Sequence, residues 1–180
     1  MAGRALAWHA GAPLLFMIAL IAPVSAEAAQ LSTCPDRPTD VVRAEAMYAE
    51  AHDLLRRSDD LEHAARLLER SAVLRPRCDG RVFDSLRMAA RLYQYAGDMD
   101  QARATMLRAA EHGVWTGNVL AAAHAFVDAA SLAAEDGDPL AANVAADRAD
   151  LLSSSPLLSP VQRMYIRGRI DTVAQLRAGG

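Results

Sequence analysis

Residues 60–76 read DLEHAARLLERSAVLRP, and this stretch decides the fold. Ala64 is followed by a bulky residue, Leu68, after four positions and by a small residue, Ser71, after seven. Side chains at these intervals lie along one face of an α-helix. Asp60 is a residue type that caps helix N-termini, and Pro76 cannot continue a helix. The stretch therefore predicts a helix that begins after Asp60 and ends near residue 75.

The same register recurs twice further along the chain. Ala102 and Ala142 take the place of Ala64 after 38 and then 40 residues. Turn residues stand five positions before each alanine, and further large or small side chains stand at matching places after it. The matched sets are Asp59, Gly97 and Gly137 before the alanine, Leu68, Met106 and Ala146 four after it, and Ser71, Ala109 and Ala149 seven after it. Each unit predicts two helices joined by a turn, and stacked neighbours bury the apolar faces that single hairpins cannot.

This pattern resembles the tetratricopeptide repeat, a helix–turn–helix unit of about 34 residues. Residues 93–110, YQYAGDMDQARATMLRAA, fit the pattern nearly as well as residues 60–76, whereas residues 123–149 carry alanine in place of the large residues. The resemblance implies an all-α, TPR-like α-solenoid over residues 40–177, with hairpins at about 40–75, 80–112 and 117–152. An unrelated array of helical hairpins is the alternative.

A last helix is predicted over residues 160–177 as a cap for the third hairpin. Ser159 is a favoured N-cap and Pro160 is favoured at the first helical position. Its apolar face should pack on the preceding hairpin and carries Val161, Tyr165, Ile166, Ile170, Val173 and Leu176. With three hairpins and this cap, seven helices are expected.

The first 26 residues read as an export signal. Arg4 precedes the charge-free run PLLFMIALIAPV at 13–24, and small residues at 24–26 offer a cleavage site. An uncleaved anchor is the alternative, although the run is short for a hydrocarbon core of about 30 Å. Residues 27–39, EAAQLSTCPDRPT, read as a linker. The mature protein is expected in the periplasm, without stable membrane insertion.

Two cysteines, Cys34 and Cys78, remain after the signal is removed. Cys34 comes just before the first predicted helix and Cys78 just after the second, at the same end of an antiparallel pair. Thiols in an oxidising compartment favour a disulfide, which here would close 45 residues and contribute about 4 kcal/mol. Without a Cys-x-x-Cys spacing the bridge is predicted to be structural, and two unpaired thiols are the alternative.

Composition and motifs argue against several functional classes. The formal charge is −3, all 19 positive residues are arginine and 52% of residues are hydrophobic. A nucleic-acid-binding protein would normally show a basic excess. The chain lacks Gly-x-Gly-x-x-Gly, a phosphate loop, Gly-x-Ser-x-Gly and a Cys/His zinc framework. We therefore predict no catalytic residues, no cofactor and no metal site.

The remaining signal is a polar surface. In the tetratricopeptide family, ligands usually lie in a groove lined by the first helix of each hairpin. The resemblance places its candidate ligand-binding residues there: Arg56, Arg57, Arg87, Arg91, Tyr95 and Asp128. Arg87 and Arg91 are one turn apart, so their guanidinium groups face the same way and suit a carboxylate. Solvated arginines in intrahelical ion pairs are the alternative.

Two functions follow from this surface. The first is an exported, non-catalytic protein–protein interaction module that binds a peptide or protein in the cell envelope. The second is a structural subunit that associates with itself or with a larger envelope complex.

Overall fold

The computed structural model describes residues 40–57 and 60–179, and these two ranges contain seven α-helices and no strand. The helices are α1 (Val41–Arg57), α2 (Leu61–Leu74), α3 (Arg81–Ala96), α4 (Met99–Trp115), α5 (Val119–Glu135), α6 (Pro139–Ser153) and α7 (Pro160–Gly179). Each of the first six packs against its neighbours along the chain, and α7 contacts both α5 and α6. The all-α prediction is confirmed. The predicted signal (1–26) and linker (27–39) lie outside the described residues.

Side-chain caps begin the even-numbered helices. Asp60, Asp98 and Asp138 each accept a hydrogen bond from the backbone N–H three residues further on, at 2.9, 3.1 and 2.9 Å. Such a carboxylate satisfies a helical N–H that has no partner within the helix. Gly97 and Gly137 precede two of these caps with φ of 84° and 76°, a conformation in which a Cβ is strained. The turns inside the hairpins are therefore encoded locally.

The repeated small residues occupy repeated core positions. Ala64, Ala102 and Ala142 are all fully buried, and so are the three residues seven positions after them, Ser71, Ala109 and Ala149. Buried side chains of this size let helix axes approach closely. The register read from the sequence therefore coincides with the contacts between neighbouring helices.

A carboxylate joins α2 to the two helices that follow it. Glu69 accepts hydrogen bonds from Tyr93 of α3 at 2.9 Å and from Thr105 of α4 at 2.9 Å, and it pairs with Arg108 of α4 at 2.5 Å. Burial, and then the hydrogen bond to Glu69, raise the pKa of the Tyr93 phenol. Since α2 and α4 are not neighbours along the chain, Glu69 is one of the links that hold alternate helices together.

Residues 75–80, which join α2 to α3, are held by contacts with α1 and with α4. The buried Arg75 pairs with Glu45 of α1 at 3.1 Å and with Asp79 at 3.0 Å, and its hydrogen bond lowers the pKa of Glu45. From α4, His112 Nε2 lies 2.7 Å from the carbonyl oxygen of Arg77. Cys78 lies in this segment with an exposed side chain. Its predicted partner, Cys34, lies outside the described residues.

The packing face of α7 is narrower than predicted. Ile166 and Val173 are buried, and Ile170 packs at their edge. By contrast, Val161 and Leu176 are exposed, so the expectation that they pack on the preceding hairpin is wrong. Tyr165 is also largely exposed, but its ring lies 5.5 Å from that of His124 on α5. Helix α7 rests on both α5 and α6, and its fully buried contact is limited to Ile166 and Val173, which are two turns apart on one side of the helix.

Helix α4 extends to Trp115 rather than ending near residue 112, and its last turn lies close to α5. Gly113 lies within the helix, where a Cβ would stand 2.9 Å from the backbone nitrogen of Ala122 and 3.0 Å from its Cα. Gly113 thus serves as a contact residue of α4 and does not end the helix.

We expect Gly113→Ala to lower the free energy of unfolding by about 1–3 kcal/mol, because the added methyl must push two helix backbones apart. Gly168→Ala is the matched control, since a Cβ at this helical position meets nothing within 4 Å. That change should raise stability by about 0.5–1 kcal/mol through helix propensity. Urea unfolding followed by circular dichroism measures both. Equal stability of Gly113→Ala and the wild type would contradict the close approach.

Candidate functional site

Side chains from α3, α5 and α7 meet around one carboxylate. Asp128 of α5 accepts a hydrogen bond from Arg169 of α7 at 2.7 Å and lies 3.9 Å from the guanidinium of Arg91 of α3. The Asp128 side chain is only 17% exposed, so its pairing with Arg169 is largely shielded from water. Together with Arg87 these residues form what we call the arginine cluster: Arg87, Arg91, Asp128 and Arg169.

A histidine adjoins the arginine cluster. His124 lies one turn before Asp128, and its ring centroid is 5.5 Å from that of Tyr165 on α7. Burial lowers the pKa of His124 below its ordinary value of 6.5, and the charges of Arg169 and Arg87 lower it further, while Asp128 opposes them. The imidazole is therefore neutral at pH 7. Its Nε2 atom is buried without a hydrogen-bond partner in the described part of the chain.

Arg87 differs from the other arginines of the cluster. Within residues 40–57 and 60–179 it makes no hydrogen bond or ion pair, although it is half-buried and close enough to influence His124. Three guanidinium groups thus face one carboxylate and a neutral imidazole. This excess of positive charge favours an anionic ligand group, and guanidinium groups bind carboxylates through two parallel hydrogen bonds.

The other predicted groove residues do not contact the cluster. Arg56 pairs with the Asp53 carboxylate of its own helix, and Arg57 donates to the Asp53 carbonyl oxygen at 3.3 Å. Tyr95 is 74% exposed. Among the described residues, no hydrogen bond, ion pair or ring contact links these three side chains to Asp128, Arg87 or Arg91. Intrahelical pairing, the alternative reading of the surface arginines, is what Arg56 adopts.

Sequence reasoning missed Arg169 as a member of the site. The basic side of the last helix was visible in the sequence, with Arg163, Arg167, Arg169 and Arg177. The spacing of these arginines in the sequence does not identify the helix against which the basic side of α7 packs. The contact of α7 with α5 brings Arg169 to Asp128, and that contact is tertiary.

Neither a metal-binding cluster nor a membrane-spanning helix is present among the described residues. In residues 40–57 and 60–179 no three His, Cys, Asp or Glu side chains come together in a way that could hold a metal ion. Over the same ranges, none of the helices combines the length and apolar character needed to cross a membrane.

The cluster geometry predicts opposite shifts in the pKa of His124. Arg87→Ala removes a nearby positive charge and should raise the pKa toward 6.5, whereas Asp128→Asn removes the opposing negative charge and should lower it. Arg56→Ala, which lies outside the cluster, should leave it unchanged. The His124 ring-proton signal in an NMR pH titration measures all three. Shifts of the same sign in the first two variants would contradict the placement of Arg87 and Asp128 beside this ring.

Comparisons with known proteins add no assignment to this geometry. The chain matches no protein-family model, no curated protein and no solved structure. The arginine cluster is thus described from its own residues, and the resemblance to the tetratricopeptide repeat depends on the sequence motifs quoted above.

Proposed function

We propose that the chain is an exported, non-catalytic helical-repeat adaptor of the tetratricopeptide type, which binds a carboxylate of a peptide or protein partner at the arginine cluster. The observation that carries the proposal is the guanidinium of Arg87, which has no ion-pair or hydrogen-bond partner among the described residues and belongs to a cluster assembled from three helices. The repeat architecture is supported by the recurrence of buried alanines and of aspartate caps at one register.

The ion pairs of Asp128 support a binding role for the neighbouring arginines. A guanidinium that is already oriented loses less conformational freedom when a ligand arrives. Arg169 is oriented by its 2.7 Å contact with one carboxylate oxygen of Asp128, and Arg91 lies 3.9 Å from the other oxygen. Arg87 then supplies a guanidinium group whose positive charge is not paired with a carboxylate in the described residues. A partner carboxylate would bind Arg87 first and share Arg91 with Asp128.

Partner capture tests this function. Tagged wild-type protein and the Arg87→Ala/Arg91→Ala variant are crosslinked in the native cell, and the captured proteins are identified by mass spectrometry. Arg56→Ala/Arg57→Ala is the matched control, because it also removes two arginines from one helix. We expect a partner held by the wild type and the control to fall at least about tenfold with the Arg87/Arg91 variant, as the loss of one strong charged contact implies.

Equal capture by all three proteins would place the interaction elsewhere on the chain and overturn the proposed site. Circular dichroism of each variant checks that helicity is unchanged, which is expected because both substituted arginines of α3 lie outside the core.

We further propose that residues 1–26 are removed on export to the periplasm and that Cys34 and Cys78 are joined. Cys78 lies on a segment tied to α1 and α4 by Arg75 and His112, a rigid anchor for a linker. Intact mass of protein from native cells should show a chain beginning at Glu27, with cysteines that alkylate only after reduction. Cys78→Ser should lower the free energy of unfolding by about 4 kcal/mol. A chain that retains Met1, with both thiols alkylated before reduction, would contradict this.

A self-assembling structural subunit is the second candidate function. It is favoured by three exposed apolar side chains, Val161 and Met164 on α7 and Leu157 in the turn before α7. Sedimentation at increasing concentration separates the two candidates. An adaptor keeps the mass of one chain, whereas a self-assembling subunit gains mass and loses that gain in Met164→Asp.

A further inference from the structure

A second arginine-rich site lies away from the arginine cluster, in an open cleft of about 450 Å³ between α1, α2 and α4. Four arginines line it: Arg43, Arg66, Arg70 and Arg108. Its volume falls within the range of small-molecule sites. Sequence reasoning did not find this cleft, because its lining comes from three helices.

Glu69, the acid in this lining, already has three partners, none of which is Arg43 or Arg70. Glu69 already accepts from Tyr93 and Thr105 and pairs with Arg108. Arg66 pairs with Glu62 at 3.0 Å. Arg43 and Arg70, in contrast, make no hydrogen bond or ion pair within the described ranges. Two unpaired guanidinium groups on neighbouring helices therefore border the same cleft.

Apolar side chains lie beside these guanidinium groups. Met47 of α1 and Leu74 of α2 are partly buried, and Val73 of α2 is 67% exposed although it is hydrophobic. A ligand with its own apolar part would cover this valine together with Met47 and Leu74 and remove their apolar surface from water. The cleft thus combines sites for an anionic head and for an apolar tail.

We propose that this cleft binds a small amphipathic anion, an alkyl chain that ends in a carboxylate or a phosphate monoester. The head group receives hydrogen bonds from Arg43 and Arg70, and the chain lies on Met47 and Val73. Carboxylates and phosphates both accept two hydrogen bonds from one guanidinium, so both heads satisfy the same geometry. This site is independent of the proposed adaptor function and of the residues that carry it.

Calorimetric titration of the purified chain tests the proposal with four probes. Octanoate and octyl phosphate carry both head and tail and distinguish the two head groups. Acetate lacks the tail, and octyltrimethylammonium has the same tail with the opposite charge. We expect binding of octanoate, octyl phosphate or both, no detectable binding of the cation, and affinity for acetate at least about tenfold weaker than for octanoate.

Variants then assign the site. Arg43→Ala/Arg70→Ala should weaken binding at least about tenfold, and Val73→Ser should weaken it without changing the preference for anions. Arg43, Arg70 and Val73 are all exposed, so these substitutions leave the core intact. Arg56→Ala/Arg57→Ala is the matched control and should bind as the wild type does. The proposal is overturned if no probe binds, if the cation binds as well as octanoate, or if Arg43→Ala/Arg70→Ala retains full affinity.

Discussion

Helices α4 and α5 touch at the level of their backbones, and the rest of the structure depends on contacts of this kind. Gly113 leaves no room for a Cβ against Ala122, and alanine fills most of the buried positions of α5 and α6. Helix axes separated only by such small side chains are held in one relative position, since any larger group would force them apart. The order of helices along the chain thereby becomes the order of helices in space.

In a core built from alanine, each side chain buries little apolar area. Polar contacts between alternate helices compensate for this small area by adding further links between the helices. Glu69 joins α2 to α4, and Asp128 joins α3, α5 and α7. These carboxylates also govern the two basic surfaces. Asp128 orients Arg169 beside Arg87, and Glu69 pairs with Arg108. Within residues 40–57 and 60–179, Arg87, Arg43 and Arg70 have no ion-pair or hydrogen-bond partner. The ion pairs that stabilise the fold therefore also determine which guanidinium groups are left available to a ligand.

Local signals in the sequence were sufficient for the helices and for part of the site. Spacing around Ala64 and Ala102 reports a helix face, and a one-turn separation places Arg87 with Arg91. The second hairpin, predicted at about 80–112, leaves Gly113 outside the helix, because the role of this glycine as a contact depends on a neighbour that the sequence does not identify. Arg169 and the cleft beside Arg43 were missed for the same reason. They require knowing how α7 rests on α5 and how α1, α2 and α4 enclose space.

Site-specific photocrosslinking in the native cell tests the adaptor account most directly. A benzophenone amino acid replaces Tyr95, which is exposed and one turn beyond Arg91, or Val144, which is half exposed on α6. The account predicts a covalent partner adduct from position 95 that disappears when Arg87 and Arg91 are both alanine, and no adduct from position 144. An adduct from position 144 alone, or one from position 95 that survives the loss of both arginines, would contradict it.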